Sequence, residues 1–128
     1  GTGSGYQTTI LAQLVDKIFS VERIKPLQDK ARQRLALLKI RNVSLKHSDG
    51  GMGWPDRGPF DGIMVTAAPE EVPPELLVQL AVGGRLVIPV GGSQNQQLKL
   101  VVRVTETEYE TSVLEGVKFV PLLSGTVR

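Results

Sequence analysis

Three features of this 128-residue chain have the residue types and spacing for chemistry. The first is Gly1-Thr2-Gly3-Ser4-Gly5, set directly ahead of a segment with helical apolar spacing. Glycines let a backbone approach a ligand closely and adopt angles that other residues avoid. A helix start behind them offers unpaired N–H groups and the positive end of a dipole, which suit a phosphate or a carboxylate. The glycines fall at positions 1, 3 and 5, whereas the dinucleotide fingerprint places its third glycine where this chain has Tyr6, so a nicotinamide dinucleotide is the weaker reading. The competing reading is an expression linker, since Gly/Ser-rich scars have this composition.

The second feature is Glu22. It ends a short apolar segment, Ile18 to Val21, roughly 20 residues past the glycine loop, where an acidic side chain can accept both ribose hydroxyl protons. Alone, a glutamate at a strand end is a solvated surface charge. A glycine loop, a helix, a strand and an acid at its tip together favour a nucleoside-containing ligand. The third feature is Asp49-Gly50, which follows the next strand. Either it is a plain turn, or its carboxylate and the adjacent N–H meet an adenine edge. His47 just before it reads as structural or exposed. Met52 and Trp54 either cover an aromatic ring or pack their own loop.

The elements that must position these residues follow from apolar periodicity. Tyr6 to Leu14 carries Ile10, Leu11 and Leu14 on one helical face. Lys17 to Val21 is a strand closed by Glu22. From Arg23 to Lys39, Ile24, Leu27, Ala31, Leu35 and Leu38 recur every three or four positions, as in an amphipathic helix. Asn42 to Lys46 alternates as a strand, and the glycines and prolines from Asp49 to Pro59 form a loop. Ile63 to Val65 is a buried strand. Pro73-Pro74 opens a helix with Leu76, Leu77 and Leu80 inward, and Gly83-Gly84 closes it. Leu86 to Val90 is another buried strand. Gln97 to Thr105 alternates, with Leu98, Leu100, Val102 and Val104 on one face, and Tyr109 to Val113 returns as its hairpin partner. Val117 to Leu122 is a last extended piece.

Strands alternating with helices specify an α/β fold: a doubly wound, mostly parallel sheet with a C-terminal antiparallel hairpin, forming one domain over residues 1–128. The first helix lacks a strand to feed it, and in open parallel sheets that strand is central. The natural protein is therefore expected to extend further at its N-terminus, unless another chain supplies the strand. Composition narrows the chemistry. There is no Cys, so there is no thiolate nucleophile, disulfide or zinc–thiolate site. One His weakens Ser–His and His-rich metal chemistry. A net charge of +2 is no strong polyanion signal. No apolar run approaches the roughly 18 residues of a membrane span. A soluble, cytoplasmic protein is expected.

Several runs together resemble the protein-L-isoaspartate O-methyltransferase family. They are Gly1-Thr2-Gly3-Ser4-Gly5-Tyr6-Gln7-Thr8, Val21-Glu22-Arg23-Ile24, Asp49-Gly50, Pro59-Phe60-Asp61-Gly62-Ile63 and Thr66-Ala67-Ala68, followed by Gly83-Gly84-Arg85-Leu86-Val87-Ile88-Pro89-Val90-Gly91 and Val117-Lys118-Phe119-Val120-Pro121-Leu122. The glycine loop and the acid mark the broader class of S-adenosylmethionine-dependent methyltransferases, and the later runs are the more family-specific. The resemblance implies a Rossmann-like methyltransferase fold. It places Gly1, Gly3 and Gly5 at the methionine part of S-adenosyl-L-methionine, Glu22 at the ribose and Asp49 and Gly50 at the adenine, with Thr2, Ser4 and Arg23 also among the cofactor-binding residues. It puts Thr66, Ala67 and Val120 at the border of the substrate pocket.

The implied reaction is methylation of the free carboxylate of L-isoaspartyl (and D-aspartyl) residues in damaged proteins, yielding S-adenosyl-L-homocysteine. The family pattern also has a strand and a Ser-containing substrate loop ahead of the glycines, and neither is in this sequence. A carboxylate is already ionised at neutral pH, so no base, metal or covalent nucleophile is required. Two alternatives stay open: another methyltransferase of the same fold acting on a small molecule, and a truncated domain that keeps the fold without catalysis.

Overall fold

In the computed structural model, residues 1–128 are described except Ser4, Ser93 and Lys118, with Tyr6 and Val117 described by backbone alone. The chain divides into two units. One is Gly1–Gly50 with Ser124–Arg128, and the other is Gly51–Leu123.

The first unit holds α1 (Tyr6–Leu11), β1 (Ile18–Glu22), α2 (Lys25–Leu37) and β2 (Val43–His47). β1 and β2 pair in parallel, from Ile18 beside Val43 to Glu22 beside His47, with α2 as the crossover that parallel neighbours require. Both strands therefore end at the same edge. Pro26 stands in the first turn of α2, where its missing N–H costs nothing. Ala31 and Leu35 are buried as their spacing predicts, but Leu38 is 55% exposed and Gln28 is buried instead. The helix ends in a Schellman motif: Lys39 N–H donates to Ala36 O and Ile40 N–H to Leu35 O, with Lys39 at φ 57°. α1 stops at Leu11, short of the predicted Leu14, which is 74% exposed. Carbonyls beyond its end are satisfied by Asn42, whose Nδ2 donates to Ala12 O and Val15 O.

The second unit holds 3₁₀ turns, β3 (Phe60–Met64), α3 (Pro74–Val78), β4 (Leu80–Gly91), β5 (Gln96–Arg103) and β6 (Tyr109–Val117). β3 and β4 are parallel across α3, whereas β4–β5 and β5–β6 are antiparallel, the latter closing the hairpin read from the sequence. The core is Leu76, Leu80, Leu86, Ile88, Val90 and Val101. Burying such a side chain stabilises by about 1.5–3 kcal/mol.

Two expectations are corrected here. α3 ends at Val78, and Leu80 opens β4 beside Phe60 rather than lining the helix. The glycine pair is a strand irregularity and not a helix stop. Phe60 pairs with Leu80, but Gly62 pairs with Arg85, so residues 81–84 bulge out. In β5 the deeply buried residue is Val101, on the face opposite Leu98, Leu100 and Val102, and Val104 is 42% exposed. No helix of the structure is long and apolar enough to cross a membrane.

Candidate cofactor-binding site

The glycine loop is fastened to the end of β1. The Gly1 nitrogen and Thr2 N–H both donate to Val21 O, and the Thr2 and Ser20 hydroxyls lie 2.6 Å apart. Gly3 N–H donates to Glu22 Oε1 at 2.8 Å, while Ile24 N–H donates to Oε2 at 3.0 Å. Glu22 is only 5% exposed, the most buried residue of its strand. A buried carboxylate is tolerated when its oxygens are hydrogen-bonded, and here each accepts a backbone N–H. Each oxygen can accept more than one bond, so the carboxylate can also receive hydroxyl donors.

The described glycines of the loop differ in role. Gly3 has φ 57°, and a Cβ built there meets nothing within 4 Å, so the space over it is open to a ligand. Gly5 has φ 88°, and its Cβ would stand 3.0 Å from the Cα and Cβ of Ala31. Gly5 thus allows the loop to close onto α2, and Thr9 Oγ1 donates back to its carbonyl. Ser4, also expected in this loop, lies outside the described residues.

Glu22 and Asp49 are brought to one edge because their parallel strands end in register and Ser48 N–H donates to Glu22 O. Asp49 Oδ2 accepts from Gly125 N–H at 3.2 Å, and Gly50 begins a 3₁₀ turn. Arg23 contributes its carbonyl, which accepts from Val127 N–H. His47 Nε2 faces two carbonyls, Arg23 O at 2.9 Å and Val127 O at 3.0 Å, so it carries the proton and ties these segments together. That is the structural role its position suggests.

The residues expected at the substrate lie in the second unit. Ala68, next to Thr66 and Ala67, donates its N–H to Val120 O at 2.7 Å and accepts from Leu122 N–H at 2.9 Å. The Thr-Ala-Ala strip and the Val120 strip are therefore neighbours. Met52 and Trp54 are pinned through their backbones by the buried Gln79 amide, at 2.9 Å each. The sequence reading missed this glutamine and the Thr2–Ser20 pair, since neither residue type nor spacing sets them apart. Among the described residues no group of three or more His, Asp or Glu side chains is placed to hold a metal ion.

Solved structures define the class. A structure named protein-L-isoaspartate O-methyltransferase matches 94% of this chain, and 39% of its own, with a TM-score of 0.88 at 28% identity. A Plasmodium falciparum protein, described as a protein-L-isoaspartate O-methyltransferase and solved with S-adenosyl-L-homocysteine, matches 96% of this chain and 63% of its own, with a TM-score of 0.82 at 28% identity. The fold is the Rossmann-like methyltransferase fold. The protein-L-isoaspartate O-methyltransferase of Cellvibrio japonicus is 64% identical over the whole of this chain, which spans 58% of that relative's length. The sequence model of the protein-L-isoaspartate(D-aspartate) O-methyltransferase family matches residues 1–127, and the chain belongs to that family.

Proposed function

We propose that this chain is part of a protein-repair methyltransferase that uses S-adenosyl-L-methionine to methylate the free carboxylate of L-isoaspartyl (and D-aspartyl) residues in damaged proteins. The observation that carries the reading is the clasp at Glu22: a buried carboxylate bonded to the glycine loop, at the edge where the parallel strands end. Family membership over residues 1–127 supplies the reaction class.

In this proposal residues 1–128 act as one domain. Gly1, Thr2, Gly3, Ser4 and Gly5 hold the methionine part, Glu22 and Arg23 the ribose, and Asp49 and Gly50 the adenine. Thr66, Ala67 and Val120 border the isoaspartyl carboxylate. S-adenosyl-L-methionine supplies a methyl group on a positively charged sulfur. Because the accepting carboxylate is already ionised, no residue of this chain has to remove a proton. Its residues bind and align, and alignment of this kind supplies about 7–11 kcal/mol of a barrier. A cytoplasmic setting accompanies this reading.

The test has two arms. Calorimetry with S-adenosyl-L-homocysteine should show binding, and the absence of heat would leave a fold without cofactor function. Methyl transfer to an isoaspartyl peptide should exceed transfer to its aspartyl twin, and equal labelling would remove the repair assignment.

A further inference from the structure

Gln96 opens β5 and is 6% exposed, with neighbours Asn95 and Gln97 exposed beside it. Its side-chain amide bonds through both its nitrogen and its oxygen to the backbone of one residue. Nε2 donates to Phe119 O at 3.0 Å, and Oε1 accepts from Phe119 N–H at 2.5 Å. A buried amide is costly unless both its ends are paired, and here both are paired on a single residue. The next residue, Val120, gives its carbonyl to Ala68 N–H, and Pro121 bridges Ala68. On the other side, Gly91 N–H holds Pro69 O. The two strips assigned to the substrate are thus set in register by β-strand ends, with Gln96 the side chain that fixes one of them. Gln96 also lines an open surface hollow with Glu70, Val90, Gly91, Gln97 and Lys99.

Resting on the proposed function above, we infer that Gln96 is a positioning residue for the peptide substrate: it holds the Phe119 backbone so that Val120 meets the isoaspartyl residue in a fixed register. Gln96 belongs to the second unit and the clasp at Glu22 to the first. Its loss therefore acts on peptide recognition and leaves cofactor binding alone.

The experiment measures methylation of an isoaspartyl peptide by the full-length protein carrying Gln96→Leu or Gln96→Glu. Gln96→Leu removes both bonds, while Gln96→Glu keeps an acceptor for Phe119 N–H. The KM for peptide should rise about tenfold in Gln96→Leu, where the Phe119 backbone is no longer held in position, and less in Gln96→Glu. Affinity for S-adenosyl-L-homocysteine should stay at the wild-type value in both. A merely structural role would lower the active fraction, and with it kcat, without moving the peptide KM. An unchanged peptide KM in an active protein overturns this assignment alone. If Gln96→Leu does not fold, the peptide KM of Gln96→Glu decides. Wild-type protein that binds S-adenosyl-L-homocysteine but methylates no isoaspartyl peptide overturns the proposed function, and this assignment with it.

Discussion

The amide of Gly3 donates to the carboxylate of Glu22 at 2.8 Å, joining two residues that are remote in sequence. The loop and the acid are one hydrogen-bonded object. Glu22→Ala should therefore weaken S-adenosyl-L-homocysteine binding by about 1.5–3 kcal/mol, the worth of a charged hydrogen-bonding partner. Calorimetry checks this, and unchanged affinity would make Glu22 a packing residue only.

Gly3 and Gly5 should fail for different reasons. At Gly5 a methyl group collides with Ala31, so Gly5→Ala should destabilise by about 1–3 kcal/mol, as overpacking does. Ala31→Gly costs about 1 kcal/mol of helix propensity on its own, and the two changes together should cost less than the sum of the single losses, which a double-mutant cycle in urea would measure. At Gly3 the space is open but φ is 57°, so Gly3→Val should lose about 1–2 kcal/mol or more to backbone strain and, by filling the space over the loop, remove cofactor binding.

Lys39 holds φ 57° at the end of α2, a conformation that costs side-chain-bearing residues about 1–2 kcal/mol. Lys39→Gly should raise stability by about 1 kcal/mol and leave activity alone. Urea denaturation reads the gain, and a loss would mean that the lysine side chain contributes more than the strain removes.

His47→Ala should lower stability by about 1 kcal/mol, because two carbonyls lose their shared donor. Turnover per folded molecule should stay near wild type. An inactive but folded variant would contradict a reaction that needs no protein base.

Much of the site was readable because a glycine loop and a strand-end acid have a distinctive spacing, and the elements between them have clean periods. The edge of α3 was not readable. Leu76, Leu77 and Leu80 keep helical spacing, yet Leu80 is drawn into β4 by pairing with Phe60, a contact that periodicity does not encode. Val101 was missed for a related reason: alternation gathers Leu98, Leu100 and Val102 on one half-buried face, and nothing in it shows that β5 also buries Val101 on the other. Gln96 stands in a polar run with the exposed Gln94, Asn95 and Gln97, and only the fold distinguishes it.

Val127 lies beside Ile24, accepts from Lys25 N–H and donates to Arg23 O, so the first unit is completed by residues that follow the whole second unit in sequence. During synthesis residues 51–123 emerge as one uninterrupted stretch that carries β3, β4, β5 and β6, which pair with one another. The half that carries the glycine loop must wait for the segment 124–127. A nascent chain stalled before that segment would show native protection in β4 and β5 while Arg23 and His47 still lacked their closing contact.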